Sequence, residues 1–239
     1  PHRPGMTGGG GPQHLPGTLV RCTPEGAALQ FFVTNPRDPI QARHLRGAFF
    51  EPEELRLMAP HIPPGAVIAD IGANIGNHAL FFEHVAGARR VVLFEANADA
   101  AAHLRLHGRL NRCQTWDEQF LGLALAAGPG RMAQQVPDPD NLGGAQFHPD
   151  PAGATRCIAG DAALAGQRVD FIKIDVEGGE MAVLAGLAAT VACWRPTLFI
   201  ELCAPHWPQF TAWVDATGYR VTDSYERYPG LPNLLVKPA

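Results

Sequence analysis

The sequence predicts an α/β protein whose parallel sheet is covered by helices on both faces. Three observations lead to this prediction. From residue 66 onward, short apolar runs alternate with stretches of helical periodicity, a glycine-containing turn joins the first run to the next helix, and the chain closes on two strands without a helix between them. Alternating strands and helices of this length are typical of parallel sheets buried on both faces. The two closing strands indicate a terminal antiparallel hairpin.

The elements of this domain can be assigned in chain order. Strands are predicted at AVIADI, RRVVLFEA, QFLGLALA, RVDFIKIDVEG and RPTLFIEL, and the closing pair at YRVTDS and NLLVKP. Helices are predicted at GNHALFFEHVA, ADAAAHLRLHGRL, GEMAVLAGLAATVA and HWPQFTAWVDATG. Each helical run repeats its apolar residues at three- and four-residue spacing, whereas each strand is a short apolar run bounded by turn residues.

Three regions are predicted along the chain. Residues 1–18 contain almost no side chains to bury and are expected to be a disordered tail. Whether residues 1–5 are native is left open. Residues 19–62 are expected to form a lead-in of two short strands and a helix that covers the core. Residues 63–239 are the main domain, interrupted at residues 126–157 by an insertion rich in turn residues. Insertions of this length are usually functional or disordered.

The composition disfavours some binding partners and indicates a cellular location. Of the 239 residues, 46% are hydrophobic and 18% are charged, and the formal net charge is −4. A nucleic acid or an anionic membrane is therefore disfavoured as a partner. The five scattered cysteines include no C-x-x-C pair, and no signal peptide pattern opens the chain, so we expect no disulfide framework and predict a cytoplasmic protein. The oligomeric state is left open.

The turn after the first strand carries Asp70, Gly72 and Gly76 in a D-x-G-x-x-x-G arrangement. Open parallel sheets bind ligands beyond the carboxyl ends of their strands, and glycines at that edge let the backbone approach a ligand closely. Asn74 and Asn77 stand where the dinucleotide fingerprint needs glycines, so a nicotinamide oxidoreductase is disfavoured.

The ends of the first two strands favour a different nucleoside ligand. Asp70 is placed to meet a cationic or hydrogen-bond-donating group and would repel a pyrophosphate. The second strand ends at Glu95, where an acid can accept hydrogen bonds from both hydroxyls of a ribose. A ligand with a ribose, an amino-acid-like cation and no phosphates fits both, and S-adenosylmethionine is such a ligand. A glycine pair with only a packing role is the alternative.

The fourth strand ends in a second group of charged residues. Alternation along this strand puts Lys173 and Asp175 on one side, and a buried lysine needs a carboxylate partner. Neighbouring strand ends offer Asp70, Glu95 and Glu201 as that partner. A purely structural ion pair is the alternative to a functional one.

Four segments taken in order resemble the FkbM-type methyltransferases: VIADIGANIGNHAL, VVLFEANADAAAHLRLHGRLNRC, FIKIDVEGGEMAVLAGL and RPTLFIEL. The resemblance covers roughly residues 45 to 202. It implies a class I methyltransferase fold (Rossmann-like), with a doubly wound seven-stranded sheet of order 3-2-1-4-5-7-6 and an antiparallel strand 7. It also implies S-adenosylmethionine as cofactor and methyl transfer to hydroxyl groups of sugars and other small natural products.

The resemblance also places the cofactor-binding residues. These are Asp70, Gly72, Ala73, Asn74, Gly76, Glu95, Ala96, Asn97 and Asp175. The second strand of the family usually ends in Glu-Pro-Asn, and Ala96 replaces the proline here, which should loosen the turn without removing its acid. The family's threonine-leucine-aspartate stretch before the fourth strand leaves only Asp161 as a rough counterpart, to which no role is assigned.

We therefore expect an O-methyltransferase acting on a hydroxyl of a small metabolite, sugar or glycan. The alternative is a non-catalytic accessory protein that binds S-adenosylmethionine or S-adenosylhomocysteine. A hydroxyl acceptor must lose its proton, which requires a base or a metal. The catalytic candidates are Asp175, Glu177, His206 and Lys173. A divalent metal, the less favoured option, would be held by Asp175 and Glu201.

Position in the chain guides the interpretation of the other histidines and of the residues expected near the acceptor. His78 could face the site as a base, but we interpret it as a half-exposed surface residue, and His103 and His107 as part of a solvated helix face. The acceptor is expected near the stretch 141–144 of the insertion, whose glycines permit close approach. The aromatic residues that could stack on a sugar are Trp207, Phe147 and Tyr225.

Overall fold

The computed structural model describes residues 16–239. The predicted disordered tail lies outside the described residues except for its last three positions, and Thr18 already belongs to the first strand. The lead-in contains β1 (Thr18–Cys22), β2 (Leu29–Val33), α1 (Pro39–Leu45) and α2 (Pro52–Met58). These elements include two strands and a helix in the region where the sequence predicts them, and α1 is a further helix that was not predicted.

The main domain continues the alternation of strands and helices. Its first half contains β3 (Val67–Ile71), α3 (Asn77–His84), β4 (Arg90–Glu95), α4 (Ala98–Leu110) and β5 (Trp116–Leu121). The region of the insertion contains β6 (Leu123–Ala126), β7 (Gly130–Gln135), β8 (Gln146–Pro149), β9 (Thr155–Ala159) and α5 (Gly160–Ala163). Then come β10 (Phe171–Ile174), α6 (Glu180–Gly186), α7 (Ala188–Trp194), β11 (Thr197–Glu201), α8 (Trp207–Thr217), β12 (Tyr219–Tyr228) and β13 (Leu231–Pro238).

Seven of these strands form one mixed sheet in the order β12-β13-β11-β10-β3-β4-β5. The five strands from β11 to β5 are parallel, and β13 pairs antiparallel with both β11 and β12. The α/β class and the closing antiparallel hairpin are therefore confirmed. Because the chain runs outward from β3 to β5 and then returns to β10 beside β3, strand order reverses between β3 and β10. Ligands of open α/β sheets bind at such a point.

Two apolar cores cover the two faces of this sheet, as expected for buried parallel strands. One face packs against α5, α6, α7 and α8, with Ile71, Ile172 and Ile200 at its centre. The other face packs against α3 and the lead-in, and here Phe31 of β2 and Phe82 of α3 are fully buried. The lead-in is thus part of the core.

Two predicted elements are each divided in the structure. The predicted third strand is broken at Gly122, whose φ of 91° is left-handed, so that β5 ends the large sheet and β6 begins a second one. The second sheet has the order β6-β9-β7-β8, and three of its four strands begin within the 126–157 insertion. The predicted helix after the fourth strand divides into α6 and α7 at Leu187. Among the helices of residues 16–239, none combines the length and apolarity that a membrane crossing requires.

Candidate active site

A cavity of about 430 Å³ opens where the strand order reverses. Its walls come from the turn after β3, the ends of β4, β10 and β11, the second sheet, the lead-in and the β12–β13 turn. The volume lies in the range of small-ligand sites. The segment 141–144, which was expected nearest to the site, lines this cavity, and so does Phe147. The cavity is the candidate active site.

The turn after β3 holds the backbone close to the end of β10. Gly72 has a φ of +80°, and a Cβ atom there would lie 1.7 Å from the carbonyl oxygen of Asp175. The N–H groups of Gly72 and Ala73 both donate to the carbonyl oxygen of Phe94, at 2.9 and 3.0 Å. Only glycine combines this conformation with so close an approach, which explains why the sequence has glycine at the end of this strand.

Glu95 is held at the cavity wall by two backbone groups. Its Oε2 atom accepts a hydrogen bond from the N–H of Asn74 at 2.7 Å, and its Oε1 atom accepts one from the N–H of Asn97 at 2.7 Å. Burial raises the pKa of Glu95 to about 7, although both N–H groups favour the charged form. The remaining lone pairs of this carboxyl are available to a ligand in the cavity.

Lys173 joins the ends of β3 and β10 beneath the cavity. It is paired in register with Asp70 on the neighbouring strand, and its Nζ atom lies 3.5 Å from Oδ1 of Asp70 and 3.0 Å from Oδ2 of Asp175. The same Nζ donates to the carbonyl oxygen of Gly72 at 2.8 Å. Burial alone would lower the pKa of Lys173, but the two carboxylates more than offset it, so the pKa is raised and the lysine is charged. Of the three partners that the sequence left open, Asp70 is the one that pairs with Lys173, and Asp175 is a second partner that was not among them.

Four acids face the cavity on the side of β10 and β11: Glu51, Asp175, Glu177 and Glu201. Burial, followed by repulsion from neighbouring carboxylates, raises the pKa of Glu51 to about 8, of Glu177 to about 7 and of Glu201 to about 10. Asp175, Glu177 and Glu201 each offer a carboxylate oxygen within 4.8 Å of the others. These three are the cavity residues that could hold a divalent cation, since hard cations take oxygen ligands.

The structure brings most of the predicted site residues to this cavity. The lining residues among them are Gly72, Ala73, Asn74, Glu95, Ala96, Lys173, Asp175, Glu177 and Glu201. Three predicted cofactor-binding residues do not line it. Asp70 is fully buried beneath the cavity, and Gly76 begins α3 against the ring of Trp116. Asn97 caps the N-terminus of α4. All three residues are buried behind the cavity wall.

Of the other predicted side chains, His206 and two aromatic residues lie outside the lining. Nδ1 of His206 pairs with Oε2 of Glu180 at 2.9 Å, and Glu180 also accepts the N–H of Gly178 at 2.6 Å. The carboxylate is buried and holds the histidine beside the loop that follows β10. Trp207 and Tyr225 likewise do not line the cavity, whereas Tyr228, which was not predicted, does.

Three histidine interpretations from the sequence are wrong. His78 is buried and lines the cavity. His103 and His107 are also buried, because β2 of the lead-in crosses α4 at this point. Nε2 of His107 accepts the N–H of Phe32, and Nε2 of His103 lies 2.6 Å from the carbonyl oxygen of Phe32. Together with His44, whose ring lies 5.5 Å from that of His107, they form what we call the histidine cluster.

Glu51 is the functional candidate that sequence reasoning missed. It lies in the lead-in, has a left-handed φ of 57° and lines the cavity. Six non-glycine residues of the described chain have positive φ, and three of them, Glu51, Asn74 and Glu177, line this one cavity. Sparsely populated backbone conformations cluster at functional sites. The only local signal in the sequence is that Glu51 precedes Pro52, which restricts its backbone.

The comparisons with known proteins agree with the geometry of this site. The family model described as the methyltransferase FkbM domain matches residues 70–221. No curated protein matches the chain. A solved FkbM methyltransferase from Methylobacillus flagellatus KT is similar at a TM-score of 0.50 and 18% identity, covering 72% of this chain and 43% of that chain. This chain thus corresponds to less than half of that protein.

Two further solved structures share the fold. The ribosomal protein L11 methylase from Lactobacillus delbrueckii subsp. bulgaricus has a TM-score of 0.50 at 11% identity, covering 78% of each chain. A protein of the NADB-Rossmann superfamily from Streptococcus agalactiae has a TM-score of 0.53 at 13% identity, covering 80% of this chain and 70% of that one. At these identities the likeness concerns the fold alone. The family match extends over more than half of the chain and includes both the glycine turn and the acidic end of β10, and the chain therefore belongs to the FkbM methyltransferase family.

Proposed function

We propose that this protein transfers a methyl group from S-adenosylmethionine to a hydroxyl group of a small molecule, such as a metabolite, a sugar or a glycan. The observation that carries the proposal is the composition of the cavity lining, which is rich in carboxyl groups and poor in cations. The five carboxyl groups are those of Glu51, Glu95, Asp175, Glu177 and Glu201. Lys173 is the one lysine or arginine among the described residues that line it, and that ammonium already lies between two carboxylates.

The residues at the glycine turn fit S-adenosylmethionine. The close approach at Gly72 leaves no room for a side chain, so the backbone of residues 72–74 faces the cavity. Its N–H groups are bonded to Phe94 and Glu95, so its carbonyl oxygens would receive the amino group of the methionine end. Glu95 would accept hydrogen bonds from the ribose hydroxyls. Leu125 and Phe147 form an apolar wall on which an adenine ring could pack. When bound, the cofactor supplies an electrophilic methyl group on a sulfonium.

The acidic lining also supports a neutral or cationic acceptor over a phosphate-bearing one. Phosphate groups of a nucleic acid or a sugar phosphate would find no free cation in the described lining, because Lys173 is already paired with two carboxylates. The protein's part in such a reaction is to align the acceptor hydroxyl with the methyl group, to exclude water and to receive the hydroxyl proton.

Calorimetric titration with S-adenosylhomocysteine tests the cofactor assignment. We expect one-site binding by the wild type, no binding of NAD in a parallel titration, and loss of binding in Glu95→Ala. The matched control is Glu118→Ala, because Glu118 is a half-buried acid outside the cavity that pairs with Arg105. Equal binding by Glu95→Ala and wild type would contradict the ribose assignment.

Methyl uptake by matched acceptors then tests the substrate class. Hexoses, aminohexoses, hexose phosphates and RNA would be compared with labelled cofactor, with and without EDTA. We expect uptake by the neutral or amino compounds. Uptake by RNA or hexose phosphates alone would overturn the proposed acceptor class. Binding of S-adenosylhomocysteine without uptake by any class would favour the accessory-protein function. Loss of activity in EDTA would assign a metal to the acids around Asp175.

A further inference from the structure

Glu51 reaches the cavity from outside the segment that matches the family model. It precedes residues 70–221 and lies at the start of α2, yet its side chain makes no capping hydrogen bond to that helix. The side chain is 15% exposed and lines the cavity. A left-handed backbone and a buried carboxyl without a capping role are both unfavourable for a residue that only begins a helix. The position therefore requires another explanation.

His78 is the neighbour of Glu51 across the cavity wall. Its side chain is 8% exposed, and its Nε2 atom is buried without a hydrogen-bond partner among the described residues. That atom lies 3.6 Å from Oε2 of Glu51, just beyond hydrogen-bond length. Burial lowers the pKa of His78 well below its usual value, so the ring is neutral. Catalytic hydrogen bonds are often long before the substrate binds.

The other charged or titratable groups around Glu51 come from four elements. Lys173 of β10 and Asp175 just after it face Glu51, as do Glu54 of α2, Glu201 of β11, and Arg227 and Tyr228 of β12. Burial, then the carboxylates of Asp175 and Glu54, raise the pKa of Glu51 to about 8, while the two cations oppose this effect. A proton acceptor works best when its pKa lies near the working pH.

Three of the other catalytic candidates are engaged elsewhere or lie apart, whereas Glu177 also lines the cavity and is the competing proton acceptor. The ammonium of Lys173 is bound to Gly72 and two carboxylates, and Asp175 is held by that ammonium. His206 pairs with Glu180 outside the lining. Glu51 is the cavity acid with a neutral buried histidine beside it.

We propose that Glu51 accepts the proton of the acceptor hydroxyl and that His78 is a positioning residue that orients its carboxylate. This inference rests on the proposed function. As the acceptor oxygen bonds to the methyl carbon, the carbon–sulfur bond breaks with its electron pair left on sulfur, and the hydroxyl proton passes to the Glu51 carboxylate. Charge is conserved, because the sulfonium becomes a neutral thioether and the carboxylate becomes a carboxylic acid. The lead-in thereby completes the active site.

Kinetics of Glu51→Gln test the proton-acceptor role with the acceptor that wild type uses best among the hexoses and aminohexoses. We expect kcat to fall about 100-fold or more, with unchanged affinity for S-adenosylhomocysteine. In wild type, kcat/KM should rise with pH through about 8, and this limb should disappear in the variant. Glu51→Asp should keep part of the activity and the limb. Glu53→Gln is the control, because Glu53 lies two residues away, pairs with Arg227 and does not line the cavity.

Infrared spectroscopy tests the same role without an acceptor. The difference spectrum between wild type and Glu51→Gln should contain a protonated carboxyl band that titrates near pH 8, and His78→Phe should shift its midpoint. Normal kcat in Glu51→Gln, or an unchanged pH limb in that variant, would overturn the proposal. If wild type methylates none of the acceptors, the proposed function fails, and the infrared titration still decides whether Glu51 holds a proton at neutral pH.

Discussion

Replacing Lys173 with methionine removes a buried positive charge that three groups share. The variant keeps a side chain of similar length, so the main change is electrostatic. Asp175 is 29% exposed and can be hydrated after the change, whereas Asp70 is fully buried, with no hydrogen bond to either oxygen. Breaking a buried ion pair by removing one partner costs about 3–5 kcal/mol. We expect a loss of about 3 kcal/mol, because protonation of Asp70 relieves part of the cost.

Urea unfolding at neutral pH measures this loss, which is a large part of the 5–15 kcal/mol that stabilises a typical domain. The double variant Lys173→Met/Asp70→Asn removes both charges and should recover most of the stability. Arg168→Met is the control, because Arg168 pairs with Asp170 at the surface and should cost less than about 1 kcal/mol.

The sign of the pH dependence is a second readout of the same variant. Burial raises the pKa of Asp70 above its unfolded value, and loss of the lysine raises it further. The folded variant therefore holds a proton that the unfolded chain releases, so its stability relative to wild type should increase as the pH falls from neutral toward about 4. A loss below about 1 kcal/mol in Lys173→Met, without this pH dependence, would refute the reasoning.

Three further predictions concern other parts of the fold. Gly72→Ala should destabilise the protein by about 2–4 kcal/mol and abolish S-adenosylhomocysteine binding in calorimetry, because its Cβ would lie 1.7 Å from the carbonyl oxygen of Asp175 at a φ of +80°. Burial lowers the pKa of His44 in the histidine cluster to about 4. Between about pH 6.5 and 4, His44 therefore takes up a proton only in the unfolded chain, and thermal unfolding should show stability decreasing as the pH falls through this range. Arg227→Met should lower the free energy of unfolding in urea by about 3–5 kcal/mol, because it leaves the buried Glu54 unpaired. The double variant Arg227→Met/Glu54→Gln should recover much of this loss, and an equal loss in the single and double variants would contradict the ion-pair argument.

The sequence predicts the repeating part of the fold well because periodicity is local. The alternation from β3 to β11 and the closing hairpin are recognisable from apolar runs and turn residues alone. The divided elements are harder to predict. β5 and β6 form one apolar run in the sequence, and only their different partner strands, joined through the left-handed Gly122, separate them into two sheets.

The candidate site is predictable where a motif marks it and not where distant segments meet. Gly72, Glu95 and Asp175 lie in recognisable turns at strand ends. His107 has the spacing of a solvated helix face, and it is buried because β2, some 75 residues earlier, lies across that face. Glu51 reaches the cavity because the lead-in folds back over the sheet. Such contacts depend on long-range packing, which single-sequence patterns do not report.

The lead-in also determines where this protein could be divided without loss. It contributes buried apolar side chains to the core that contains α3, and these come from Leu29, Phe31, Phe49, Leu55, Met58 and Ile62. Each such side chain is worth about 1.5–3 kcal/mol when buried, so together they match the whole net stability of a typical domain. A fusion protein joined at residue 63 would therefore contain every family motif but would lack the part of the core that the domain needs to fold. A recombined protein must therefore receive the lead-in and the main domain together.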